Sequence, residues 1–152
     1  MIFLRLIAYD LMIGNNFIHS EITGKVLKAF FNVYNTIGFG FAEKVYENAL
    51  VIELKKSGLK CEKQVSINVY YENEIVGAYY ADLIVEDVVI LELKAVETII
   101  DQHEVQLVNY LRATNKEVGM LLNFGTEPQY KRRVLSNEFK KHQQKNHKNI
   151  IK

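Results

Sequence analysis

The sequence predicts a single mixed α/β domain whose elements run in the order ααβββαβα. Three observations carry that expectation. Apolar residues recur at helical spacing between residues 20 and 56. Alternating and continuous apolar runs joined by short polar turns fill residues 64–95. A helix-period segment and a further buried-type strand then follow without any repeat, linker or low-complexity stretch to mark an interior boundary.

Ser20 can cap a first helix running to about residue 36, with Ile22, Val26, Phe30, Val33 and Ile37 on one stripe. Gly38 and Gly40 break it. A second helix is expected over residues 41–56, with Val45, Ala49 and Ile52 on one stripe and Tyr46, Leu50 and Leu54 on the next; Gly58 ends it. Residues 64–71 alternate through Val65, Ile67 and Val69, residues 72–74 turn, and residues 75–85 form a second strand. Glu86 and Asp87 turn again into a third strand over 88–95, whose near-continuous apolar run suits a sheet centre. A third helix is expected over 101–114, carrying Val105, Leu107, Val108 and Leu111, and a buried-type strand over 118–124. After Gly125 and the single proline, Pro128, residues 129–139 are read as a last helix.

A chain of 152 residues is long enough for a real core. Its 49% hydrophobic and 24% charged content is ordinary for a globular protein. Nineteen basic and eighteen acidic residues leave a net charge of +1, so overall charge singles out no partner. Cys61 is the only cysteine, which rules out an intrachain disulfide or a cysteine-based zinc site and fits a reducing cytoplasm. Residues 1–18 are apolar at the start, but Arg5 and Asp10 interrupt the run and no signal-peptide pattern follows; an extra strand or a poorly ordered extension is expected. From residue 140 the tail is basic and free of acids, a solvated end with phosphate contact as the alternative.

The chemistry lies in the second and third strands. Asp82, Glu92 and Lys94 are charged residues set into sequence that otherwise wants burial, and such groups are rarely buried unless paired or bound to an ion. Glu92 and Lys94 share one face of a strand. A two-residue turn pairing Val85 with Val88 would set Asp82 opposite Leu91 and turn Glu92 away. A connection one residue longer, or one bulge, sets Asp82 opposite Glu92. A site therefore requires that second register. Facing carboxylates repel unless one is protonated or a cation lies between them, and oxygen-only ligands favour Mg²⁺ or Mn²⁺. Lys94 beside them suits orientation of a water or neutralisation of charge growing on a phosphate.

On the second helix Glu43 and Glu47 lie four apart, and Glu43 shares a stripe with Tyr46 and Leu50. On the third, Gln106 and Tyr110 share a face with His103 one turn earlier. Each has a plainer reading: a helix N-terminus favours acids, Tyr110 is a core aromatic, Gln106 a surface amide and His103 a satisfied surface residue. Lys131, Arg132 and Arg133 are candidates for phosphate contacts, with a solvated helix end as the alternative.

Gly40, Glu43 and Tyr46 match the signature of the GxxExxY proteins, and the resemblance extends over about residues 19–135. It includes residues 33–50, 80–85, 91–95, 103–111 and 118–125 in order. Phe39 stands where that family has proline, and the residues before 19 and the basic tail are not typical of it. The family is placed in the PD-(D/E)xK nuclease-like superfamily, which also holds restriction endonucleases and junction resolvases. The resemblance implies a restriction-endonuclease-like core, a mixed four-stranded sheet flanked by helices, occupying residues 19–139. It implies Asp82 and Glu92 as metal ligands, Lys94 as the catalytic lysine and Glu43 as the helix acid that reaches the metal. Gln106 and Tyr110 would be the helix pair near substrate or lysine. The function it implies is Mg²⁺- or Mn²⁺-dependent hydrolysis of DNA phosphodiesters by a cytoplasmic enzyme. Small members often dimerise, so a homodimer is among the expected assemblies. The alternative is a module that keeps the fold without turnover and binds nucleic acid or a protein.

Overall fold

The computed structural model describes residues 18–140; the N-terminal extension up to residue 17 and the basic tail from residue 141 lie outside the described residues. Helices α1 (Ser20–Ile37) and α2 (Glu43–Lys56) lead into strands β1 (Cys61–Tyr71), β2 (Glu74–Val85) and β3 (Val89–Lys94). Helix α3 (Asp101–Arg112), strands β4 (Val118–Phe124) and β5 (Pro128–Val134) and a short 3₁₀ turn (Asn137–Phe139) complete the fold. The sheet has the order β1-β2-β3-β4-β5. Only β3 and β4 run parallel, joined by the α3 crossover, and every other neighbouring pair is antiparallel.

The sheet separates two apolar layers. On one face Val26, Phe30 and Val33 of α1 and Tyr46, Leu50 and Leu54 of α2 pack on Leu83, Leu91, Leu93, Met120 and Phe124. On the other, Leu107, Tyr110 and Leu111 of α3 pack on Ile67, Ile84, Ile90 and Leu121. The stripe of α2 that faces the core is thus the one through Tyr46, while Val45 and Ile52 are exposed. In α3, Val105 is likewise exposed. Among the described residues, no helix is long and apolar enough to cross a membrane.

Two expectations are corrected. The sheet has five strands, not four, and residues 128–134 form an edge strand in place of the expected helix. The edge of β4 must be paired or covered, and β5 pairs with it from Phe124↔Pro128 to Val118↔Val134. Its charges, Lys131, Arg132 and Arg133, suit an outer strand, and its proline sits at the first strand position, where a missing N–H is tolerated.

The turns set the register that positions the site. Glu72 and Asn73 both have positive φ and link Tyr71 to its partner Glu74 in a two-residue hairpin. Glu86 and Asp87 also have positive φ, and the Val88 N–H donates to the Val85 carbonyl, closing a tight turn. Val88 is then one residue more than the turn needs, so Val85 pairs with Val89 and Leu83 with Leu91. The longer connection is the one present.

Candidate active site

The β2–β3 register, continued one step beyond Leu83↔Leu91, sets Asp82 opposite Glu92. Side chains replace the ladder there. The Leu93 N–H donates to Asp82 Oδ2 at 2.8 Å, and the Asp82 N–H donates to Glu92 Oε1 at 3.2 Å. Each carboxylate therefore takes a backbone donor beside the other, and the two strands part at this point.

The parting has a backbone cause. Strict alternation would keep residues 81, 83 and 85 on one face. Instead Leu83 and Val85 belong to the α1/α2 layer and Ala81 to the α3 layer. The reversal falls at Asp82. Opposite it in β1, between the pairs Lys63↔Leu83 and Val65↔Ala81, Gln64 adopts φ 51, the left-handed conformation a side chain rarely takes. Its amide donates to Asp82 Oδ1 at 3.4 Å and to Glu47 Oε2 at 3.3 Å. Sequence reasoning misses Gln64, because a glutamine near a strand start carries no signal of its own.

Burial holds Glu92 in an unusual state of charge. It is 4% exposed. Burial, reinforced by the neighbouring Asp82 charge, pushes its carboxyl up to about 8, against the pull of the Asp82 N–H and Lys94. Asp82 is also raised by burial, opposed by its bonds from Leu93 and Gln64. Glu43 is exposed on the first turn of α2, and its carboxyl is raised by partial burial, with Lys94 lowering it and Asp82 raising it. Lys94 is the counter-charge shared by Glu43, Asp82 and Glu92, and it disfavours a charged His103.

Glu47 rather than Glu43 is the buried acid of α2. It is 5% exposed, and its carboxylate meets Lys44 at 3.3 Å and Lys63 at 4.0 Å in addition to Gln64. Among the described residues no three His, Cys, Asp or Glu side chains converge to hold an ion by themselves. Of the expected set, Asp82 and Glu92 face each other across the two strands, and Glu43 stands in electrostatic reach of both. That pair still suits a hard cation, because its mutual repulsion and the raised Glu92 are what an inserted positive charge would relieve.

On α3 the Gln106 amide donates to the Tyr110 hydroxyl at 2.7 Å. Burial and the nearby Glu92 charge push Tyr110 up to about 12, so the phenol stays protonated. His103 fastens its own helix: its Nδ1 accepts the Ile100 N–H at 3.3 Å across the first turn of α3. Burial and the Lys94 charge lower its pKa, favouring the neutral ring that this bond requires. The basic residues of β5 are engaged as well. Lys131 pairs with Glu104 at 2.5 Å, Arg133 pairs with the same carboxylate, and Arg132 donates to the Ile18 carbonyl.

Asn123 is a second residue that sequence reasoning misses. It is fully buried in β4, and its amide accepts from Val96 N and donates to Val96 O. It thereby fixes the chain two residues beyond Lys94. Its signal, legible in principle, is a lone amide inside an otherwise apolar strand.

The sequence matches the family model of the PD-(D/E)XK nuclease superfamily over residues 20–134. The chain belongs to that superfamily. No curated protein and no solved structure gives a match. Nucleases of this superfamily generally use divalent metals, and Asp82, Glu92 and Lys94 stand in the order of the acid, acid and lysine in its name.

Proposed function

We propose that the protein is a Mg²⁺- or Mn²⁺-dependent nuclease that hydrolyses DNA phosphodiester bonds, and that within the superfamily it is a GxxExxY protein. The observation that carries this reading is the parting of β2 and β3 at Asp82, which sets two carboxylates face to face beside Lys94. Asp82 and Glu92 would hold the ion, with Glu43 reaching it directly or through water. Held there, such an ion would supply Lewis-acid chemistry, polarising the phosphate and lowering the pKa of a water.

The remaining roles belong to side chains already in place. Lys94 neutralises charge growing on the phosphate and orients the attacking water. Gln64 holds Asp82 in position from the neighbouring strand. The Gln106–Tyr110 pair presents a protonated phenol on the α3 side of the site. A single cysteine and the absence of any disulfide requirement suit a reducing cytoplasm.

The test is cleavage of plasmid and single-stranded DNA with Mg²⁺ or Mn²⁺ by wild type, Lys94→Ala and Asp82→Ala. Each substitution is expected to lower the rate by about 100-fold or more, as removal of one electrostatic partner commonly does. Activity that survives both would sink the assignment. Absence of cleavage together with absence of ion binding by calorimetry is the result expected of a nuclease-fold binding module.

A further inference from the structure

The β1–β2 hairpin outruns the rest of the sheet. β2 pairs with β3 only over Leu83–Val85 but stays with β1 out to Glu74. Beyond the face reversal at Asp82, Ile67 and Ala81 pack on α3, and farther out Val69 and Tyr79 face the same helix across a gap. A groove of about 490 Å³ opens between them, lined by Tyr79, Gln102, Gln106, Asn109, Tyr110 and Arg112 among others. That is within the range of small-molecule sites, roughly 300–1,000 Å³.

We propose that this groove is a subsite for one unpaired nucleobase beside the scissile phosphate, which makes nucleic acid with unpaired nucleotides the substrate class; the proposal rests on the nuclease reading. Three features support it. Tyr79 offers an aromatic face and is 48% exposed. The Tyr79 and Tyr110 rings are 5.8 Å apart and tilted 48°, too close to admit a third ring between them, so the base would stack on the part of the Tyr79 ring left exposed to the groove. Gln102, Gln106 and Asn109 supply amides that both donate and accept, the chemistry that reads the edge of a neutral heterocycle. The lining contains a cation, Arg112, and no carboxylate, which suits a polyanion.

The groove lies within electrostatic reach of the Asp82–Glu92 pair. Gln106 and Tyr110 line it, and the Tyr110 hydroxyl lies in the field of Glu92 and Asp82. A base stacked in a duplex cannot reach Tyr79, so a strand must be single, frayed or splayed to enter.

Affinity for short fluorescent single strands, measured in chelator so that no cleavage occurs, tests this. Each nucleotide in turn is replaced by an abasic one. For wild type, one abasic position is expected to weaken binding about tenfold, in line with the loss of one base–aromatic stack. In Tyr79→Ala that penalty disappears, and in Tyr79→Phe it persists within about twofold. Melting curves establish that the variants are folded. No position-specific penalty, or one unchanged in Tyr79→Ala, overturns the subsite. So does a Tyr79→Ala change confined to self-association by sedimentation, which would give the groove to a second copy of the chain. Lys94-dependent cleavage without any base effect refutes the subsite and leaves the nuclease reading standing. A base effect without cleavage refutes the nuclease reading alone.

Discussion

Glu92 shows how one side chain links fold to chemistry. Its folded pKa, about 8, lies above the ordinary carboxylate value, so the metal-free native state holds a proton that the unfolded chain releases. The stability this proton contributes is fully present below about pH 4.5 and is lost as pH rises through about 8. Glu104 works in the opposite sense. Partial burial pushes its carboxyl up, but the bonds and charges of Lys131 and Arg133 together outweigh that and hold it below its ordinary value, so its contribution is lost as pH falls below about 4.5. In chelator the melting temperature should therefore fall from about pH 5 to pH 8. Glu92→Gln should flatten that fall and add on the order of 2–4 kcal/mol at pH 8. A flat wild-type profile would show that Glu92 is not held protonated. Gln64 makes a second residue-scale case. A left-handed glutamine costs roughly 1 kcal/mol, so Gln64→Gly should match or slightly exceed wild type in denaturant stability. Both Gln64→Gly and Gln64→Ala lose the amide that meets Asp82, so Mn²⁺ affinity by calorimetry should drop about three- to tenfold. Unchanged affinity in both would remove Gln64 from the site.

At the scale of elements, the run Gly40, Glu43, Tyr46 has a physical meaning. Gly38 and Gly40 take φ 69 and 111, which lets the chain reverse between α1 and α2. Tyr46, fully buried, stacks on Phe124 at 4.4 Å, donates to the Gly38 carbonyl at 2.6 Å and accepts the Phe41 N–H at 3.2 Å. It fastens the glycine loop to the sheet, and Glu43 rides on the turn so fixed. Tyr46→Phe keeps the stack and loses both bonds, so chemical denaturation should show a loss of about 1–2 kcal/mol. A change below about 0.5 kcal/mol would mean the loop is held by something else. Elements are legible where their own residues decide them. The stripe through Val26, Phe30 and Val33 and the presence of a turn after Tyr71 stand directly in the sequence, although Glu74, read as part of that turn, belongs to β2. The requirement that Asp82 face Glu92 also follows from it, although the residue that satisfies it, Val88, looks like any strand valine. Strand β5 escapes because its alternation of Tyr130, Arg132 and Val134 with charged neighbours resembles a solvated helix. Only the unpaired edge of β4 makes it a strand, and that edge is a tertiary fact. Gln64 and Glu47 escape for the same reason: their importance comes from β1 and α2 meeting at Asp82.

At the scale of the whole molecule, charge is balanced and much of it is internally matched. Nineteen basic residues face eighteen acidic ones. Lys131 and Arg133 meet Glu104, Lys44 and Lys63 meet Glu47, and Lys116 meets Asp87. The three-cation run of β5, a phosphate-binding candidate by sequence, is therefore spent largely on holding the edge strand to α3. A protein built this way approaches a polyanion without a broad positive field. On the proposed site, its contacts are expected to concentrate near Lys94, Arg112 and the ion that Asp82 and Glu92 would hold. Counterion release makes log Kd depend on log salt with a slope of about 0.7 per phosphate neutralised on a single strand. Two to four such contacts predict a slope of roughly 1.5–3, far from the value of about 5 or more for proteins that neutralise many phosphates. Anisotropy titrations of the full chain across a range of salt concentrations measure it. A slope of about 5 or more would show that cations beyond the site, those of β5 included, leave their carboxylates to follow the strand. The shallow slope is the expected result, because Glu104 gains two charge-assisted partners at once and is partly shielded from solvent, and a phosphate would have to replace both.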